Sequence, residues 1–258
     1  MRGEYPMTAI APTVAAVLGW PAPRQAQAEP IGRVVEDLRG SPRVAIVAPD
    51  ALGRQPFETW CGEMPYLSAR HETRSVLLRA IMPTITPVNF AAMVSGATRE
   101  VHGIGAFTDN FTCETLFDVA RSQGASSAGI GQKGWTGSEL LGRHADYWGK
   151  ADSNTDAEVE ELALGIAQAQ RPDFLIVQVG NTDEVFHRHG PSSPEVVPAL
   201  REMDARLQRI SEGLLDLGYG VLINADHGQH DTLTGGSHGT DSDADALVPC
   251  TWIASHER

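Results

Sequence analysis

The sequence predicts an α/β protein built on a doubly wound, mainly parallel sheet with helices on both faces. Apolar runs over Val44–Pro49, Phe174–Val179 and Gly220–Ala225 each lead to an aspartate, respectively Asp50, Asp183 and Asp226. Runs without alternation read as strands buried on both faces, as in parallel sheets. Strand-like and helix-like stretches alternate along the chain, which is the order a doubly wound sheet needs. At 258 residues, with ordinary apolar, charged and glycine fractions, residues 1–258 are expected to form one domain around one core.

In order, Val44–Pro49 is the first expected strand and Arg74–Ile81 a second, with mixed patterning. Pro87–Ser95 reads as a helix, with Pro in its first turn and Gly96 at its end, the favoured places for both. A further helix is expected over Cys113–Gln123, stopping at Gly124, then a small-residue strand over Ala125–Ile130. Residues 131–152 are rich in Gly, Trp and charge without a clear period, and read as a small cap or active-site loop. Asp156–Gln170 is an acidic helix and Phe174–Val179 a strand. Pro194–Leu217 is a long helix, and strands over Tyr219–Ala225 and Leu247–Ala254 follow.

A formal net charge of −13 and the lack of a Lys/Arg cluster argue against nucleic acid as a partner. No apolar run approaches the length that spans a bilayer, so no membrane is expected either. Cys61, Cys113 and Cys250 are widely spaced and form no CxxC pair. They therefore read as reduced thiols of a cytoplasmic protein, not as a disulfide framework or zinc ribbon. Arg2 before an apolar stretch and the small residues Ala26-Gln27-Ala28 raise a signal peptide. Glu4 offsets Arg2, and Pro6, Pro12 and Pro21 interrupt the apolar stretch, which disfavours it.

In open α/β sheets ligands bind beyond the carboxyl ends of the strands, where Asp50, Asp183 and Asp226 would emerge. Asp183 and His187 are one helical turn apart and can aim at one ion. Asp226 and His227 are adjacent and converge only in a turn leaving the strand. His238 sits in Gly235-Gly236-Ser237-His238-Gly239, a flexible segment able to return over the site. Singly, an Asp at a strand end is more often a helix cap and a His a surface or core group. Together, Asp and His with one further oxygen suit zinc, and sites of this kind also take manganese or iron.

Thr86 stands at the entry to the Pro87 helix, where unpaired N–H groups and the positive end of the dipole can cradle a phosphoryl group. The plain alternative is an N-cap threonine. Its hydroxyl is a weak nucleophile unless a dication removes its proton.

The succession Val-Ala-Pro-Asp50-Ala-Leu-Gly, Pro-Thr-Ile-Thr86-Pro-Val-Asn, Gly96-Ala-Thr-Arg-Glu-Val-His102-Gly, Asp183-Glu-Val-Phe-His187-Arg-His-Gly190, Asp226-His227-Gly228 and His238-Gly239 resembles the alkaline phosphatase superfamily. Within it the chain is most similar to the type I phosphodiesterase/nucleotide pyrophosphatase and phosphonoacetate hydrolase branch. The resemblance implies an alkaline phosphatase-like fold and two divalent metal ions, usually zinc. One would be held by Asp183, His187 and His238, the other by Asp50, Asp226 and His227, with Thr86 bridging toward the second. It further implies hydrolysis of small phosphate esters through a covalent phosphothreonine on Thr86, which water then cleaves. The partner is a small phosphate ester or phosphonate, with a homodimer as the only assembly considered.

Three departures accompany the resemblance. An Asn that relatives place five residues after the His-Gly histidine to bind a phosphoryl oxygen is Phe107 here, and Asn110 is the nearby substitute. Ala51 replaces the usual Gly after the first metal aspartate. The Ala9–Pro23 segment, expected to form a core helix, resembles one that relatives carry near the carboxyl end, as in a circular permutation. Lys133 lies where relatives sometimes place a substrate-contacting Lys, although a solvated Lys explains it as well. Trp135, Tyr147 and Trp148 could floor a leaving-group pocket or pack the cap. His189 and His230 flank ligands, whereas His71, His144 and His256 have no partner pattern.

Phosphonate hydrolysis or phosphomonoester hydrolysis would use similar ligands, and a catalytically degenerate metal-binding protein would keep the same fold. The C/S-x-P-x-R frame of sulfatases is missing at Thr86-Pro87-Val88-Asn89. Leu52 stands where a haloacid-dehalogenase-type phosphatase needs its second Asp.

Overall fold

The computed structural model describes residues 3–255. His256, and Arg2 of the signal-peptide reading, lie outside them. The chain runs β1 (Glu4–Pro6), α1 (Ile10–Leu18), α2 (Gly32–Asp37), β2 (Arg43–Pro49), α3 (Arg54–Trp60), α4 (Pro65–Thr73) and β3 (Ser75–Arg79). Next come α5 (Thr86–Ser95), α6 (Arg99–His102), α7 (Leu116–Ser122), β4 (Ser127–Gln132), β5 (Tyr147–Ala151), α8 (Asp156–Gln170) and β6 (Phe174–Val179). The last part is α9 (Asn181–His189), α10 (Val197–Asp216), β7 (Tyr219–Asn224), β8 (His230–Asp231), β9 (Gly236–Ser237), α11 (Asp243–Ala246) and β10 (Leu247–Ile253).

Eight strands form one sheet in the order β1-β3-β10-β7-β2-β6-β4-β5. β10 runs antiparallel to both neighbours, and the other pairings are parallel. The two central runs are in register from Val44 opposite Phe174 to Pro49 opposite Val179, so Asp50 leaves the sheet beside Val179. α1, α2, α5 and α7 cover one face, and α4, α8 and α10 the other. Between these layers Trp252, Tyr219, Phe90, Phe117, Phe174 and Phe186 are fully buried. That is the doubly wound, mainly parallel architecture expected. No helix among the described residues is long and apolar enough to cross a membrane.

Element ends moved where local chemistry overrides the pattern. α7 starts at Leu116 instead of Cys113 because Thr115 and Asp118 form a reciprocal capping box. The Ala9–Pro23 segment supplies α1, whose Ile10, Ala11, Val14 and Ala15 are buried. β1 and β10 both flank β3.

Residues 131–152 differ most from expectation. Instead of an aperiodic cap or loop they hold a π-helical turn, Gly137–Gly142, and the edge strand β5, paired to β4 in parallel. A Cβ on Gly129 would meet the Gly142 nitrogen at 2.5 Å, and one on Gly137 would meet the Ile130 carbonyl at 2.6 Å. Glycine therefore lets the turn lie directly on the β4 backbone. The wide turn has neither a 3.6 nor a 2.0 period, so the stretch looks structureless in sequence.

Candidate metal centre

Two groups of carboxylates and imidazoles meet at the carboxyl end of the sheet. Asp50, Asp226 and His227 form one, and Asp183, His187 and His238 the other; within each, ligand atoms lie within 4.8 Å of one another. Asp50 follows β2 and Asp226 closely follows β7. Asp183 and His187 sit one turn apart on α9, whose start is held by Asp156 of α8, accepting from the Gly180 and Asn181 N–H groups. His238 follows β9.

The first group is almost wholly enclosed. His227 Nε2 lies 3.6 Å from Asp50 Oδ1 and 3.3 Å from Asp226 Oδ2, with every side chain fully buried. Neither carboxylate oxygen has a hydrogen-bond partner. Their second oxygens are occupied, by the Gln178 amide at Asp50 and by the Ala51 N–H at Asp226. Thr86 Oγ1 stands 3.1 Å from the same His227 Nε2. In the second group, His187 Nε2 is 3.5 Å from Asp183 Oδ2 and His238 Nε2 is 3.8 Å from Asp183 Oδ1. The His227 and His238 rings stack with centroids 4.1 Å apart, so the groups adjoin.

Each imidazole has its Nδ1 beside a backbone carbonyl: His227 with Gly228 at 3.0 Å, His187 with Gly236 at 3.1 Å and His238 with Thr84 at 2.8 Å. A carbonyl only accepts, so Nδ1 carries the proton and every Nε2 presents a lone pair. This tautomer is the one metal-ligating histidines adopt.

Burial sets the charges as well. Burial, then Asp226 and Asp183, push the Asp50 carboxyl well above its ordinary range. Burial raises Asp226 to about 6 and lowers His227 to about 3. A buried pair of carboxylates with two orphaned oxygens is costly, and a dication between them removes that cost. The donor spacing fits one. Bonds of about 2.0–2.2 Å in a tetrahedral zinc site place neighbouring donors roughly 3.3–3.6 Å apart, close to the 3.1, 3.3 and 3.6 Å measured around His227 Nε2.

The loops that carry these ligands are tied to one another. Thr84 Oγ1 donates to the Thr240 carbonyl and accepts from the Gly239 N–H, while its own carbonyl takes the His238 Nδ1 proton. Buried Asn89 bonds both the N–H and the carbonyl of Ile81 and fixes the segment leading to Thr86. Fully buried Asp245 accepts from His230 and from Thr240, spanning the loop between His227 and His238.

Ala51, where a glycine is usual, adopts φ +62° and aims its N–H at Asp226. Ala51→Gly is expected to stay within about 1 kcal/mol of the parent in urea unfolding, because relief of strain offsets added chain entropy and a lost methyl. Ala51→Val, β-branched in a left-handed conformation and fully buried, should cost about 3 kcal/mol.

The structure brings Asp50, Thr86, Asp183, His187, Asp226, His227 and His238 together, and leaves two expected substrate residues apart. Lys133 is exposed in an ion pair with Asp152 at 3.0 Å. Asn110 is exposed on the connection between α6 and α7, with no hydrogen bond among the described residues to either group. Trp135 packs on Gly180, and Trp148 is half exposed on the edge strand beside Lys150. His189 pairs with Glu195. A cleft of about 320 Å³ lies elsewhere along α9, lined by Asn181, Glu184 and Arg206 but by neither group.

His102, of the His-Gly motif, is buried, and its Nδ1 accepts from the Ile104 N–H. Burial lowers it to about 4. The folded state therefore resists protonation; the stability it contributes is present above about pH 6.5 and is lost as pH falls toward 4. Between those limits the parent should lose about 2–3 kcal/mol more than His102→Asn, whose Oδ1 can accept the same N–H, in urea titrations.

Sequence reading overlooked Gln178 and Gln229. Gln178 had a signal, being polar inside the wholly buried run of β6; Gln229 directly follows Asp226-His227-Gly228.

The family model described as type I phosphodiesterase / nucleotide pyrophosphatase matches residues 110–242. That span contains five of the metal-group residues and excludes Asp50 and Thr86. A venom phosphodiesterase of Naja atra is 27% identical over 215 residues, covering 69% of this chain and 25% of its own. Phosphonoacetate hydrolase from Sinorhizobium meliloti 1021, solved with phosphonoacetate, shares the fold at TM-score 0.57 and 18% identity, covering 81% of this chain and 58% of its own. Murine ectonucleotide pyrophosphatase / phosphodiesterase 5 does so at TM-score 0.59 and 16% identity, covering 73% and 57%. The chain thus spans about a quarter of the length of the curated relative and under three fifths of the solved ones.

Proposed function

The chain belongs to the type I phosphodiesterase/nucleotide pyrophosphatase family, and from that premise we propose that it is a two-metal phosphoric ester hydrolase whose nucleophile is Thr86. The supporting observation is the 3.1 Å approach of Thr86 Oγ1 to a His227 Nε2 that also faces two orphaned carboxylate oxygens. Asp50, Asp226, His227 and Thr86 would hold one ion and Asp183, His187 and His238 the other, zinc first, with manganese or iron also suited to these donors.

When bound, the two dications supply Lewis acidity: they ease loss of the hydroxyl proton, polarise the phosphoryl oxygen and offset charge on the leaving oxygen. Thr86 gives its proton to solvent and attacks phosphorus in line with the ester oxygen. A threonine–phosphorus bond forms as the ester bond breaks and the alcohol leaves. The N–H groups of Thr86 and Val88 belong to the first turn of α5, where the helix supplies no partner, and would donate to the phosphoryl oxygens at its positive end. Water then cleaves the phosphothreonine and restores the hydroxyl.

Small phosphodiesters are the expected substrates. Bis-p-nitrophenyl phosphate should be hydrolysed by the zinc-loaded chain, the rate should fall at least about 100-fold on chelation, and zinc should restore it. Equal rates before and after chelation would remove the metal from the reading. p-Nitrophenyl phosphate and phosphonoacetate in parallel assays rank monoester and phosphonate turnover against it.

A further inference from the structure

Each metal group has one buried glutamine, and each glutamine donates to one oxygen of a carboxylate whose other oxygen faces a histidine. Gln178 Nε2 bonds Asp50 Oδ2, while its own Oε1 accepts from the Gly137 N–H at 2.6 Å. Gln229 Nε2 bonds Asp183 Oδ1 at 2.6 Å and the Asp183 carbonyl at 3.2 Å. Both side chains are essentially inaccessible, at 1% and 0% exposure.

We infer that Gln178 and Gln229 are positioning residues, one for each ion, that turn Asp50 Oδ1 and Asp183 Oδ2 toward their histidine partners and hold them there. The inference rests on the two-metal reading above. A carboxylate on a short side chain can rotate and offer either oxygen. Gln178 engages Asp50 Oδ2, leaving unpartnered Oδ1 3.6 Å from His227 Nε2. Gln229 engages Asp183 Oδ1, which also lies 3.8 Å from His238 Nε2, and leaves Oδ2 3.5 Å from His187 Nε2.

The two amides are fixed in different ways. Gln178 is held by the π-helical turn: Gly137 donates to its Oε1, and a Cβ on Gly137 would strike the Gln178 Cβ at 2.7 Å. The turn lying on β4 is thereby linked to Asp50 through the Gln178 side chain. Gln229 is held by close packing, since a Cβ on Gly236 would meet its Oε1 at 2.6 Å, and Gly236 also receives the His187 Nδ1 proton. Gln229 and His187 thus both lie against Gly236. Removing groups that orient metal ligands typically costs about 10- to 100-fold in metal affinity.

The test is zinc stoichiometry of the full chain and its Gln178→Met and Gln229→Met variants, at free zinc just sufficient to fill both sites of the parent. Methionine keeps the volume and the unbranched shape but lacks the donor. The parent should hold two ions and each variant one, with the affinity of the lost ion reduced about 10- to 100-fold. Cobalt-substituted spectra should lose a different set of bands in each variant, a signature that general loosening would not give. Two ions at parental affinity in both variants would overturn the inference while leaving the two-metal reading intact. No zinc on the parent would defeat that reading itself. Because a variant can fail to fold, the Gln178 and Gln229 side-chain amide resonances of the parent serve as a second measurement: both should shift in step with zinc loading, and resonances that stay still would equally overturn the inference.

Discussion

Thr86→Ala should abolish hydrolysis of bis-p-nitrophenyl phosphate, lowering kcat by on the order of 10³-fold or more, while both metal groups still bind zinc. The expected effect is large because no other hydroxyl among the described residues is recorded beside His227 Nε2. Thr84 is fully occupied, donating to the Thr240 carbonyl and accepting from Gly239. Thr182 spends its hydroxyl on the Asp50 carbonyl. Thr86 has its oxygen 3.1 Å from His227 Nε2 at the start of a ten-residue helix. Thr86→Ser keeps the oxygen but frees its rotamer, so it should retain measurable turnover. Acid quenching during turnover followed by peptide mapping should find the phosphoryl adduct on Thr86. Parental kcat in Thr86→Ala with zinc bound would assign the attack to water or to another residue. Loss of zinc together with activity would mean that the three remaining ligands, Asp50, Asp226 and His227, do not hold the ion without the Thr86 hydroxyl.

The sequence made some of this centre legible and hid the rest for physical reasons. Asp183 and His187 could be paired because four-residue spacing on a helix fixes a common face, and α9 provides that helix. Buried strands could be recognised from unbroken apolar runs, but such runs carry no direction, so nothing in Leu247–Ala254 announced that β10 lies antiparallel between β3 and β7. Residues 131–152 defeated periodicity because a π-helical turn lies on a glycine backbone. The grouping of His238 with Asp183, across 55 residues of chain, came from family resemblance and not from spacing. Gln178 and Gln229 were overlooked because their significance lies in what they touch, which a linear sequence does not display.

Asp50→Asn separates the stability of this centre from its chemistry. Without metal, Asp50 and Asp226 place two buried carboxylates around one imidazole nitrogen, each with an oxygen that has no partner. Asparagine keeps the shape, still accepts from Gln178 and turns an amide donor toward Asp226, so repulsion becomes attraction. In the presence of chelator the variant should therefore be more stable than the parent, by about 2 kcal/mol near pH 8. The sign of the pH dependence follows from the raised carboxyls. Folded-state values above the unfolded one mean that stability present below about pH 4 is lost as pH rises through the folded value, about 6 for Asp226. The gap between variant and parent should accordingly close as pH falls from about 8 to 4. Zinc reverses the order. At about 1,000 times its dissociation constant an ion adds about 4 kcal/mol to the parent, whereas the variant, with a neutral ligand at position 50, binds it weakly and gains little. Urea unfolding with chelator and with zinc should thus give stability curves that exchange rank, and turnover should fall at least about 100-fold in the variant. A variant less stable than the parent in chelator would mean that Asp50 earns its place by structure, and the cost assigned here to two crowded carboxylates would be wrong.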